Sequence, residues 1–220
     1  MPKLGRDMKI VKGLAMPAFD QFMETIVPDD GRYQHENLWA AVSHCRKRRT
    51  VIDGGAHVGM WSRTFAQLFD RVIAFEPAQD TFACLRYNVD AENVELRNQA
   101  LGAKTGKVRV TMKGFKGTLR EFNSGARYVA SGGDIDRITV DSLGLQDLDL
   151  LKMDIEGSEV HALMGAVETL ARCKPVVLFE NKNEWKRHGF PATAPHQILD
   201  ALGAVKLDKV GIDEIWGWPE

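Results

Sequence analysis

The stretch "VIDGGAHVG", residues 51–59, decides how the chain is read. Val51, Ile52 and Asp53 make a short buried strand that ends in a carboxylate. Gly54, Gly55 and Gly59 then turn the chain tightly into "GMWSRTFAQLF" (59–69), where Trp61, Phe65 and Leu68 share one helical face. "RVIAFE" (71–76) follows as a second strand, ending in Glu76. Strand, glycine turn, helix and strand form a βαβ unit, and such units wind right-handed into a parallel sheet.

The alternation continues outward. "ENLWAAVSHC" (36–45) and "DTFACLRYNV" (80–89) have helical spacing, and "NVELRN" (93–98) is a third strand. "KVRVTMK" (107–113) alternates as a half-exposed antiparallel strand does, and residues 114–135, rich in Gly, Ser and Arg, predict a loop or loose hairpin. "DLLKMD" (149–154) is a buried strand, "EVHALMGAVETLAR" (159–172) one helix, and "PVVLFE" (175–180) a further strand. "APHQILDAL" is a short helix, after which "AVKLDKV" and "DEIWGW" pair across "GID" as an antiparallel hairpin. Residues 1–32 lack a clean period and read as an N-terminal extension or partial lid, with a short helix around Phe19–Ile26. Residues 33–220 read as a single domain.

Composition narrows the function classes. With 29 Lys and Arg against 30 Asp and Glu, the net charge of −1 gives no global attraction for nucleic acid or an anionic membrane. Cys45, Cys84 and Cys173 form no CxxC pair, which argues against a disulfide framework or a cysteine-based zinc site and for a cytoplasmic setting. Charges interrupt every apolar run of the N-terminus, so no signal peptide or membrane span is expected.

Ligands of such sheets bind at the carboxyl ends of the strands. A dinucleotide fingerprint needs glycine at 54, 56 and 59, but position 56 is Ala, where a pyrophosphate would need close backbone approach. No Gly-Lys-Ser/Thr follows, so a P-loop is excluded. Asp53 suits an ammonium group, and Glu76 can take both hydroxyls of a ribose; S-adenosylmethionine offers both. The competing reading is a plain glycine-rich turn and an exposed Glu, and the two acids at adjacent strand ends favour the nucleoside.

"VIDGGAHVGMWS", "VIAFEPAQDTFACLRYNV", "ALGAKTGKV", "ITVDSL" and "LLKMDIEGSEVHALMGA" occur in that order. Together they resemble the FkbM family of class I S-adenosylmethionine-dependent methyltransferases, from about Gly31 to about Phe190. The resemblance implies a Rossmann-like class I methyltransferase fold, a three-layer α/β sandwich whose mainly parallel seven-stranded sheet has its last strand antiparallel. It also implies methyl transfer, usually to a hydroxyl. It implies that Asp53, Gly55 and Gly59 frame the methionine part of the cofactor, that Glu76 holds the ribose and that Gln99 and Ala100 lie beside the adenine; Gly54, Ala56 and Pro77 complete the expected cofactor set, with Asp154 added from its place at a strand tip. Little chain precedes Gly31, which predicts that a separate substrate-covering domain is lacking.

"DIEGSE" (154–159) places three carboxylates after a core strand. In one reading Asp154 and Glu156 are catalytic, Asp154 facing cofactor and acceptor and Glu156 acting as base or orienting the acceptor. In a second, Asp154, Glu156 and Glu180 hold Mg²⁺ through hard oxygens; no His lies at ligand spacing, so no metal is expected. In a third, Glu156 and Glu159 only complement the N-terminus of the next helix, which is the reading adopted for Glu159.

Of the remaining candidates, His57 reads as a turn residue, and His188, after the fifth strand, as a group able to reach an acceptor. Tyr33 and Gln34 read as solvent-exposed and Trp216 and Trp218 as core. "RKRR" (46–49) falls at the amino edge of the sheet, away from the site, and no "NPPY"-like tetrapeptide follows the fourth strand. A small-molecule or glycan acceptor is therefore expected in place of RNA or DNA. The alternatives are a non-catalytic nucleoside-binding module of the same fold, a nucleic-acid methyltransferase, and a nicotinamide oxidoreductase, which Ala56 disfavours.

Overall fold

The computed structural model describes residues 7–30, 32–112 and 123–219. The chain begins with a hairpin, β1 (Met8–Val11) and β2 (Leu14–Pro17), then α1 (Phe22–Ile26) and α2 (His35–Ser43). Next come β3 (Thr50–Gly54), α3 (Met60–Leu68), β4 (Arg71–Phe75), α4 (Gln79–Asn88) and β5 (Val94–Arg97). An insertion follows: β6 (Ala100–Leu101), β7 (Gly106–Met112), β8 (Arg127–Ser131) and β9 (Ile135–Ile138). The chain returns to the main sheet with β10 (Leu148–Met153), α5 (Glu159–Met164), α6 (Val167–Cys173), β11 (Val176–Glu180), α7 (Ala194–Ala201), β12 (Val205–Val210) and β13 (Asp213–Gly217).

The main sheet has seven strands in the order β12-β13-β11-β10-β3-β4-β5. All neighbours among β11, β10, β3, β4 and β5 run parallel, and β13, last in the chain, runs antiparallel to both β11 and β12. The expected architecture is therefore present. Strand alternation divides the core in two. Ile52, Ile73, Leu151, Val177 and Phe179 pack on the α5–α7 side with Leu163, Leu170 and Leu199. Val51, Val72, Leu150 and Leu178 pack on the other side with Leu38, Val42, Phe65 and Cys84. Among the described residues, no helix is long and apolar enough to cross a membrane.

Three local expectations change. Residues 8–17 form a hairpin, and Leu14, Ala15 and Met16 are buried in the second core. The Asn88 carboxamide pins this hairpin to α4, accepting from Ala15 N at 2.7 Å and donating to Ala15 O at 2.8 Å. A strand buried on both faces shows no alternation, so its period was invisible. Residues 127–131, within the expected loop, are strand β8, paired with β7 from Val108↔Ser131 to Met112↔Arg127. The part of that loop at 114–122 lies outside the described residues. The single helix expected over 159–172 is two, broken at Gly165. A side chain there would lie 2.1 Å from the Gly102 carbonyl, and the Asp141 carboxylate caps the second helix through the Glu168 and Thr169 amides.

Candidate active site

A cleft opens at the carboxyl ends of β3, β4, β10 and β11, with about 1210 Å³ of empty space counting its mouth. Its floor is set by strand register. Asp53 and Lys152 are direct partners on β3 and β10, so their side chains emerge on the same face. Lys152 Nζ lies 2.9 Å from Asp53 Oδ1 and donates to the carbonyls of Gly54 and Gly55 at 3.2 and 2.9 Å. Asp53 Oδ2 accepts from Ser62 Oγ at 2.6 Å. Burial works against the charge on Lys152, but Asp53 and Asp154 raise its pKa overall.

This corrects the expectation for Asp53. It is fully buried behind the loop, bound by Lys152, and does not line the cleft. Gly54 and Gly59 do not line it either. Gly59, at φ +93°, lets α4 approach; a side chain there would meet Val89 at 2.6 Å and Leu85 at 2.8 Å. Gly55 and Ala56 do line the cleft. A side chain at Gly55 would sit 1.9 Å from the Asp154 carbonyl, so only glycine lets the two strand tips close together.

Glu76 follows β4 and lies in the cleft wall. Its Oε2 accepts from the His57 amide at 3.0 Å and its Oε1 from the Ala78 amide at 2.8 Å. Burial pushes this carboxyl up to about 7 against those two bonds. Pro77, Gln99 and Ala100 continue the same wall, between Phe75 and Leu101.

Across the cleft, Asp154, Glu156 and Glu180 each bring one oxygen within 4.8 Å of the others. Lys182 Nζ stands 2.6 Å from Glu180 and 3.3 Å from Glu156. Burial and then the Asp154 charge push Glu180 up to about 8, and the same two causes raise Glu156. Glu156 has φ +50°, a costly conformation for a residue with a side chain; Arg187 Nη1 donates to its carbonyl at 3.0 Å. Hard oxygens converge as the Mg²⁺ reading requires, yet Lys182 already supplies a cation to them. Glu159 turns away and accepts from the Ile155 and Gly157 amides at 3.1 and 3.2 Å.

The roof comes from α1 (Phe22, Met23, Ile26) and from the insertion (Ser124, Arg127, Tyr128). Tyr33 and Gln34, expected in solvent, line the cleft, and Trp61 Nε1 donates to the Tyr33 carbonyl at 3.1 Å. Folding α1 over the site encloses the segment that follows it. His188, expected within reach of an acceptor, is not in the lining; its ring packs edge-on against His161, 4.9 Å between centroids. Arg49 of the basic run binds Asp149 at the start of β10, at the sheet edge opposite the cleft.

Sequence reasoning missed Lys152, Lys182, Trp61, Ser124, Arg127 and Tyr128. A lysine inside the buried run "LLKMD" was a readable signal, since a buried cation needs an anionic neighbour. Ser124 and Arg127 carried no such mark.

The family model described as the methyltransferase FkbM domain matches residues 53–208. No curated protein matches the chain in sequence. The structure of methyltransferase FkbM from Methylobacillus flagellatus KT aligns with a TM-score of 0.52 at 17% identity, covering 78% of this chain and 44% of that one. The chain thus spans less than half of that protein, and at this identity the likeness concerns fold. Precorrin-6y C5,15-methyltransferase from Geobacter metallireducens GS-15 aligns at 13% identity and a TM-score of 0.49, over 85% of this chain and 90% of that one. Magnesium protoporphyrin IX methyltransferase (ChlM) from Synechocystis PCC 6803, with bound SAM, aligns at 11% identity and a TM-score of 0.49, over 90% and 85%. Matched by the family model over most of its length, the chain belongs to the FkbM methyltransferase family.

Proposed function

We propose that the protein transfers a methyl group from S-adenosylmethionine to a hydroxyl of a small molecule: a sugar, glycan or secondary metabolite. The observation that carries this reading is how Glu76 is held. Two backbone amides fix its carboxylate at the tip of β4, the place from which an acid serves ribose hydroxyls. Each oxygen keeps a lone pair for a further donor. The adjoining turn, with Ala56 in place of a glycine, suits a nucleoside without a pyrophosphate. The cleft residues therefore fit the cofactor: Glu76 and Pro77 for the ribose, Gln99 and Ala100 for the adenine, Gly55 and Ala56 for the chain beyond. Asp154, which lines the cleft where Asp53 does not, takes the ammonium.

Bound S-adenosylmethionine supplies an electrophilic methyl group on a sulfonium sulfur. Glu156, with 17% of its side chain exposed against 9% for Glu180, stands nearer the open cleft. It takes the acceptor's hydroxyl proton onto a carboxylate oxygen. Asp154 and burial raise its basicity, and Lys182 holds Glu156 and Glu180 in place. The apolar roof of Phe22, Met23 and Ile26 excludes water and orients the acceptor. The free thiols of Cys45, Cys84 and Cys173 suit the cytoplasm.

Incubation with S-adenosyl-[methyl-³H]methionine and a panel of glycosides and hydroxylated aromatics tests the reading. Label on a hydroxyl oxygen is expected. Preferential labelling of RNA or DNA would make it a nucleic-acid enzyme. Cofactor binding without transfer to any acceptor would make it a non-catalytic nucleoside-binding module.

A further inference from the structure

Asp20, Ser124 and His57 are remote in sequence and meet in the roof of the cleft. Asp20 is fully buried and Ser124 nearly so. Asp20 Oδ1 accepts from the Met23 amide at 2.9 Å, at the start of α1. Its Oδ2 accepts the Ser124 amide at 2.9 Å and also the Ser124 hydroxyl. The Ser124 hydroxyl thus spends its one proton on Asp20. Ser124 Oγ therefore accepts from His57 Nε2, 2.6 Å away, and that nitrogen bears the ring hydrogen. In a hydrolase triad the His stands between acid and Ser. Here Ser stands in the middle, so its hydroxyl is an anchor and not a nucleophile.

The anchor has a task. His57 sits at φ +51°, where a side chain is disfavoured. That conformation aims its backbone N–H at Glu76 Oε2, 3.0 Å away. Glycine would reach it with less strain; His stands there and its ring is in use. Burial drives the ring pKa down to about 4, with Asp20 and Asp154 opposing and Lys152 and Arg127 adding to the fall. The ring is thus neutral near pH 7 and keeps one hydrogen to donate.

We propose that Ser124 is a positioning residue for the nucleoside cofactor: backed by Asp20, it holds the His57 ring and thereby the amide that aims Glu76. This rests on the reading of Glu76 as the ribose acid. It makes the N-terminal segment, through Asp20, a working part of the cofactor site.

Calorimetric titration of S-adenosylhomocysteine into wild type, Ser124→Ala and Ser124→Thr tests it, together with ¹⁵N NMR of the His57 ring, assigned by its loss in His57→Gln. Ser124→Ala should bind about tenfold more weakly, the scale of one or two lost hydrogen bonds. Ser124→Thr, which keeps the hydroxyl, should bind within about twofold of wild type. The wild-type ring should be the Nε2–H tautomer and should lose that signature in Ser124→Ala. Unchanged affinity in folded Ser124→Ala overturns the proposal alone. No binding by wild type sinks the cofactor reading and the proposal with it. An Nδ1–H ring in wild type overturns the proposal even if Ser124→Ala does not fold.

Discussion

Lys152 and Asp53 face each other on adjacent parallel strands, 2.9 Å apart, with side chains 7% and 0% exposed. Parallel register alone puts them together. The pair ties the β3 tip, through the Gly54 and Gly55 carbonyls, to the strand that leads into Asp154. The glycine loop is therefore held from beneath by a cation.

Lys152→Met should strand the Asp53 charge in the core and cost about 3–5 kcal/mol, the usual loss when one partner of a buried pair is removed. Lys152→Met combined with Asp53→Asn should recover much of that loss. Chemical denaturation of the three proteins checks this; equal stability of wild type and Lys152→Met would mean that the pair is not formed.

Glu76→Ala should weaken S-adenosylhomocysteine binding by about 1–3 kcal/mol, the scale for a lost charged hydrogen-bonding partner. Because the carboxyl titrates near 7 and only its ionised form accepts from both hydroxyls, wild-type affinity should rise between pH 6 and 8. Glu76→Gln should flatten that rise. A wild-type affinity independent of pH would contradict the assignment.

Asp154→Asn, Glu156→Gln and Glu180→Gln test the acidic wall. Turnover should fall by about 10²-fold or more for whichever residue takes the acceptor proton, and we expect this for Glu156. Glu180, pushed up to about 8 by burial and then the Asp154 charge, shares Lys182 with Glu156, so wild-type turnover should climb as pH rises toward 8. Since Lys182 supplies the cation, a chelator should leave activity intact. Loss of activity on chelation, restored by Mg²⁺, would favour the metal reading.

Glu159 gives a prediction for stability. Burial raises its folded carboxyl from 4.5 to about 7. A raised folded pKa means stability that is full below the unfolded value and is lost as pH rises through the folded one. Glu159→Gln should thus be near neutral at pH 4.5 and stabilising by roughly 1–3 kcal/mol at pH 8. Thermal midpoints at both pH values check the sign.

The sheet was legible because buried strands alternating with amphipathic helices leave few topologies, and "VIDGGAHVG" and "RVIAFE" mark the first crossover. Glu76 and Asp154 are legible as cleft residues because each acid directly follows the last residue of a core strand, at the rim. Asp53 stands one residue earlier, inside β3, and its burial is not legible: its partner Lys152 lies 99 residues on, and strand register is a tertiary fact. The roof is less legible. Ser124 and Tyr128 sit in a polar stretch whose strand exists through pairing with β7, and Met23 of α1 packs in the same core as the β1–β2 hairpin, which the sequence does not announce.

Calorimetric titration of S-adenosylhomocysteine, with NAD as control, decides whether Glu76 holds a nucleoside cofactor. S-adenosylhomocysteine should bind saturably at micromolar to sub-millimolar levels, and NAD far more weakly. Preferential binding of NAD, or no binding of S-adenosylhomocysteine, would contradict it.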